Sequence, residues 1–295
     1  WAQSSGGEVW GQQYFPDVTL TRHTGEQQHF FNDLIEDKVV VINFIYTHCP
    51  DVCPLETSKL KEVYKLLSDR VGQDVFFYSI SIDPERDRPE VLAQYVKQFD
   101  IPDSWGFYTG KEEDIRLLRQ KLGLYYEPEL DEDGKPKVLD HNISLVIGNQ
   151  STGRWMKRSP FENPYVLASQ IGGELHNWKL PRKEQRAYAD APDLRDISPA
   201  EQLYRTHCSA CHTIGGGDLV VAGNDAVQSF GGTQLGIGPD LLNVTQRRNR
   251  RWLMRWIQQP DVVLAEQDPI ALSLFEQYRR IPMPNLSLTT HEVEV

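Results

Sequence analysis

The run Val39–Ile45 (VVVINFI) constrains this chain more than any other stretch. A continuous, mostly β-branched apolar run is a strand of a sheet covered on both faces, because a strand wetted on one face would alternate. It leads into YTHCPDVCPLE (46–56). There Pro54 suits a first helical turn, and Leu55, Leu60, Val63, Leu66 and Leu67 recur at helical spacing. A second apolar strand is predicted over 75–82, ending in Asp83-Pro84, with helices at 89–99 and 111–122. Paired strands are predicted at 142–148 and 154–157 around a turn at 150–153, and a closing helix at 161–175. Upstream, 19–26 reads as two short polar strands around Thr24-Gly25.

Strands alternating with helices, then a hairpin and a helix, make an α/β domain with a mixed sheet over residues 1–178. Cysteines placed where the central strand hands over to a helix give a thioredoxin-like arrangement. Residues 179–197 are charged and broken by proline, as a linker is. A second unit, predicted over 198–295, starts at Ser198-Pro199-Ala200-Glu201 with a cap, a proline at the first helical position and a capping-box Glu.

The chain's 295 residues are enough for two cores, and a 39% hydrophobic content is that of an ordinary globular protein. A net charge of −11 argues against nucleic acid as the main partner. The one basic string, Arg247-Arg248-Asn249-Arg250-Arg251, reads as a solvated helix start, with a docking patch or a clamp on cofactor propionates as the alternative. No apolar stretch approaches the roughly 18 residues that span a bilayer. The sequence begins at Trp1 rather than Met, so a targeting or anchoring segment is expected to have been removed. Residues 286–293 read as the start of a terminal helix that is cut short.

Four cysteines in two tight pairs suggest chemistry more than stapling. Cys208-Ser-Ala-Cys211-His212 is the attachment motif of a c-type haem. Two thiols one helical turn apart can bond one porphyrin edge, while the next residue offers its imidazole to the iron. A zinc site would need two further ligands, and no other cysteine pair lies in this unit. The unit resembles the small single-haem cytochrome c domains, and is therefore expected to be all-α. In that resemblance, Gly238-Pro239-Asp240-Leu241 is the loop behind the proximal histidine, with Pro239 supplying the carbonyl that fixes His212. Ile281-Pro282-Met283-Pro284 supplies the distal ligand, Met283. The competing Met254 lies in an amphipathic helix and is expected in the core. His/Met ligation suits electron transfer. The stretch 213–238 is longer and richer in glycine than the smallest such domains need.

Cys49 and Cys53, four apart, are expected on the first turn of a helix, on one side, close enough for a disulfide or a shared metal. A helix N-terminus favours the thiolate, the form that attacks or coordinates. His141 precedes the apolar strand where a loop re-enters the sheet. Tyr46-Thr47-x-Cys49-Pro50-x-x-Cys53-Pro54, Ser81-Ile82-Asp83-Pro84-x-Arg86-Asp87 with Pro89, and Asp140-His141 occur in this order over residues 14–175, and together they resemble the Sco/SenC family. That family comprises copper-binding, thioredoxin-like proteins that help assemble the dinuclear copper centre of cytochrome c oxidase.

The resemblance implies copper ligands at Cys49, Cys53 and His141, a set suited to Cu(I) and, with a further weak ligand, to Cu(II). Asp140 is expected either beside the site or on the surface, and His48 is read as a variable neighbour rather than a ligand. His23, His29, His176, His207 and His291 default to surface or structural roles. Glutathione-peroxidase-like and peroxiredoxin enzymes share the fold and a reactive cysteine at the same turn, which leaves a thiol peroxidase as an alternative.

Haem and Cu(II)/Cu(I) each exchange one electron, whereas thiol–disulfide chemistry takes two, so haem-assisted copper reduction is favoured over haem-driven reduction of Cys49–Cys53. The expected function is a copper metallochaperone for the oxidase, with the haem unit relaying electrons. The alternative is a thiol–disulfide reductase acting on the oxidase's copper-ligand cysteines. Expected partners are the oxidase copper-centre subunit and an electron-donor redox protein. Covalent haem and a cycling dithiol both imply an extracytoplasmic bacterial setting, the periplasm.

Overall fold

A computed structural model describes residues 11–49, 52–125, 144–176, 198–215 and 237–294. Its contacts divide the chain into two compact units. One comprises residues 1–49 and 62–190, the other 50–61 and 191–295. The expected linker, 179–197, lies outside the described residues.

The first unit is built on a seven-stranded mixed sheet, as expected of an α/β domain, in the order β2-β1-β5-β4-β3-β6-β7. The strands are β1 Thr19–Arg22, β2 Gln27–His29, β3 Val39–Ile45, β4 Val75–Ser81, β5 Trp105–Thr109, β6 Leu145–Asn149 and β7 Arg154–Arg158. Strands β3, β4 and β5 are parallel neighbours, and the other pairs are antiparallel. All seven residues of β3 are buried, as the continuous apolar run requires. Three whole helices accompany the sheet, α2 Pro89–Phe99, α3 Glu112–Lys121 and α4 Pro164–Gly172, together with the last turn of α1 Cys53–Leu66, whose residues 62–66 fall in this unit.

Apolar side chains cover both faces of the sheet. Phe15, Leu20, Phe30, Leu34, Val40, Ile42, Phe44, Ile115 and Leu118 form one cluster. On α1, Tyr64 packs against Phe77 and stacks on Trp105, with ring centroids 5.6 and 6.1 Å apart.

The departures from expectation are local. Strand β5 was not anticipated, being five residues long with a glycine second. The first hairpin turns at Gly25 (φ +89°) as expected, but its second strand extends to His29, and Leu20 is fully buried. A buried π-helical turn, Phe30–Ile35, follows it. The closing helix starts only at Pro164, where the Asn163 side chain accepts the Tyr165 N–H at 2.9 Å, and a separate 3₁₀ turn covers Glu174–His176.

In the second unit, the described residues from 198 onward form helices and turns: α5 Pro199–Leu203, α6 Val244–Arg247, α7 Arg250–Gln258, α8 Pro260–Ala265, α9 Pro269–Gln277 and α10 Thr290–Glu294. Ser198 caps α5 by accepting the Glu201 N–H at 3.1 Å, as its sequence position predicts. Asn249 caps α7 in the same way, accepting from Arg251 and Trp252. Among the described residues, no helix is long and apolar enough to cross a membrane.

Candidate functional site

Two sequence motifs meet because β3 and β4 are parallel and in register, Ile45 opposite Ser81. Both strands therefore release their loops at the same edge of the sheet, the carboxyl end where α/β folds place their sites. The Ile82 N–H donates to the Ile45 carbonyl at 2.8 Å and holds the two exits together.

Asp87, fully buried, is the hub of this edge. One carboxylate oxygen accepts the Thr47 N–H at 3.0 Å and the Ser81 hydroxyl at 2.6 Å; the other accepts the Thr47 hydroxyl. Ser81 in turn accepts the Asp83 N–H at 3.0 Å. A buried carboxylate is tolerable only when its lone pairs are used in this way. The effect is to clamp the turn 46–49 onto the end of β4. Asp87 belongs to the Ser81–Pro89 motif, but among its charged neighbours Asp83, Glu85, Arg86 and Arg88 nothing local in the sequence marks it as the fully buried one.

Cys49 lies in this turn, its N–H donating to the Tyr46 carbonyl at 3.3 Å, and is 6% exposed. Cys53 is the first residue of α1 and fully buried. The expectation that both cysteines share the first helical turn is thus corrected, since the described helix begins at Cys53 and Cys49 precedes it. Asp140 and His141 lie outside the described residues. Among the described residues, no three His, Cys, Asp or Glu side chains gather into a metal-binding group.

The second site surrounds the C-x-x-C-H sequence. The backbone turns tightly there, with the Cys211 and His212 N–H groups both directed to the Cys208 carbonyl at 3.1 and 2.9 Å. His212 Nδ1 lies 2.9 Å from the Pro239 carbonyl, the pairing expected from sequence. That carbonyl can only accept, so Nδ1 carries the proton and Nε2 keeps its lone pair. Burial holds the His212 pKa below its ordinary value, partly offset by the Pro239 hydrogen bond, and burial pushes the Cys208 thiol up.

Gly238 passes against the imidazole so closely that a Cβ there would lie 2.7 Å from Nδ1. Around it, Gly238 donates to the Cys211 carbonyl (2.8 Å), the Tyr204 hydroxyl to the His212 carbonyl (2.6 Å) and the Thr213 hydroxyl to Asp240 (2.7 Å). Met283 sits half-buried after α9, before the buried Pro284. Met254, expected in the core, is instead half-buried and lines an open groove of about 500 Å³ with Arg250, Arg251, Arg255 and Gln258. Arg247 closes α6 and donates to the Asp240 and Leu242 carbonyls, while Arg250 and Arg251 open α7, consistent with a helix start.

Comparison with known proteins places the N-terminal part of the chain in a family. The profile of the SCO1/SenC family matches residues 11–175, more than half of the chain, and the chain belongs to that family. The human mitochondrial protein SCO1 homolog is 36% identical over 130 residues, 44% of this chain and 42% of that protein. An SCO2-like protein of Rickettsia felis is 33% identical over 142 residues, 48% of this chain and 66% of that protein. The chain thus spans less than half the length of the human relative it matches. Among solved structures, Arabidopsis thaliana ScoI with copper bound is similar with a TM-score of 0.45 and 26% identity, over 54% of this chain and 96% of that one.

Proposed function

We propose that this protein is a copper carrier for assembly of the dinuclear copper centre of cytochrome c oxidase. Cys49, Cys53 and His141 hold the ion, and the second unit carries haem c on Cys208, Cys211 and His212, with Met283 as distal ligand. The observation that carries this reading is the clamped turn. Cys49 lies buried in a turn at the sheet edge that Asp87 fixes, and Cys53, also buried, opens α1. Two thiolates and one imidazole form a soft donor set that suits Cu(I). Membership of the SCO1/SenC family supports the cargo.

The second unit fits a haem. Its histidine is held by Pro239 with Nε2 available, and Gly238 leaves the ring room. Of the described apolar side chains from 198 onward, only Pro260, Val263, Ala271, Ile281 and Pro284 are buried, although α7 carries the stacked pair Trp252 and Trp256. Helices of this kind need a further apolar body to cover. When bound, haem c supplies one-electron exchange. Domain limits of 1–178 and 198–295, the periplasm as the compartment, and an oxidase subunit and an electron-donor protein as partners belong to the same proposal.

Copper and haem titration with optical spectra, on parent, Cys49→Ser and His141→Ala proteins, tests it. One copper per chain in the parent and weakened binding in both variants is expected; His141→Ala holding copper as tightly as the parent would sink the assignment. A second reading, a thiol–disulfide reductase, draws on Cys53 at the helix start. In that reaction the two thiols close to a disulfide, while a substrate disulfide takes up two electrons and two protons. Copper-free protein that never reduces a disulfide would count against it.

A further inference from the structure

Cys49 is only 6% exposed, so a ligand nearer the solvent would serve an incoming ion first. His48 stands beside Cys49 in the chain, and its side chain is 55% exposed. Its Nδ1 is turned inward, 3.0 Å from Thr47 Oγ1 and 3.7 Å from Asp87 Oδ1.

The hydrogen-bond chain decides which ring nitrogen is bare. The Thr47 hydroxyl has a single proton, and it donates that proton to Asp87. Thr47 Oγ1 can then only accept from His48, which places the ring proton on Nδ1. Nε2, the other ring nitrogen of this half-exposed side chain, then keeps its lone pair. Metal-binding histidines are prepared in this way, with one nitrogen donating into the protein, directly or through a relay, and the other left to coordinate.

We propose that His48 is a transit ligand: its Nε2 takes copper from the donor and passes it to Cys49, while Asp87, acting through Thr47, sets its tautomer. Cu(I) and Cu(II) both accept imidazole nitrogen, and no change of oxidation state is needed. The inference rests on the copper reading and gives the sequence a ligand that its spacing alone did not reveal.

Two readouts test it on the full chain. In copper-free protein, long-range ¹H–¹⁵N spectra of the neutral His48 ring should show a protonated Nδ1 and a bare Nε2, and Thr47→Val should abolish that preference. Cu(I) supplied as its bicinchoninate complex should enter the His48→Ala protein about tenfold more slowly than the parent, with the final affinity unchanged within about twofold. Equal entry rates in parent and His48→Ala proteins, or a protonated Nε2, would overturn this inference alone. Failure of the parent to bind copper at all would overturn the copper reading and this inference with it.

Discussion

Gly148 has no room for a side chain, because the Trp155 ring, its partner across β6 and β7, occupies the place of a Cβ. That ring also packs on the buried Phe15, with centroids 4.7 Å apart, so it cannot swing away freely. Gly148→Ala should therefore destabilise the first unit by about 1–3 kcal/mol, read from denaturant midpoints. His23 gives a prediction in pH. Its Nδ1 accepts the Phe107 N–H at 3.3 Å, and burial, with Arg22 adding, holds its pKa below the ordinary 6.5. Below about pH 6.5 the unfolded chain binds a proton that the folded one resists, so stability falls as pH drops. Urea midpoints at about pH 7.5 and about pH 5.5 should converge in His23→Gln relative to the parent.

At the scale of elements, the central strands and the helices after them were readable because burial imposes continuous apolar runs and 3.6-residue spacing. Helix α2 was expected over 89–99 and spans Pro89–Phe99. Strand β5 was not readable, since WGFYT is short and interrupted by Gly106. Its weight lies in Trp105, which is fully buried, stacks with Tyr64 and donates to Ser79 at 3.0 Å. Trp105→Ala should cost about 3–5 kcal/mol and is checked by thermal and urea unfolding.

The site was readable in part for a related reason. Cysteine spacing and the C-x-x-C-H sequence are local signals, and the Pro239–His212 contact could be expected from a resemblance. The Asp87 clamp depends on the parallel register of β3 and β4, which brings residues 40 apart in sequence into contact. No local pattern records that.

On the whole-molecule scale, the family match covers residues 11–175, and the helical unit beyond 198 lies outside it. The proposed joining of a copper site and a haem site in one chain therefore rests on chemistry, with a one-electron carrier beside a one-electron metal. The most direct test is the sulfur and nitrogen count around bound Cu(I), read by copper K-edge X-ray absorption on the full chain. Two sulfurs and one imidazole nitrogen are predicted, falling to one sulfur in Cys53→Ser. A shell of oxygen and nitrogen alone, or a sulfur count unmoved by that substitution, would contradict the assignment of Cys49 and Cys53 as copper ligands.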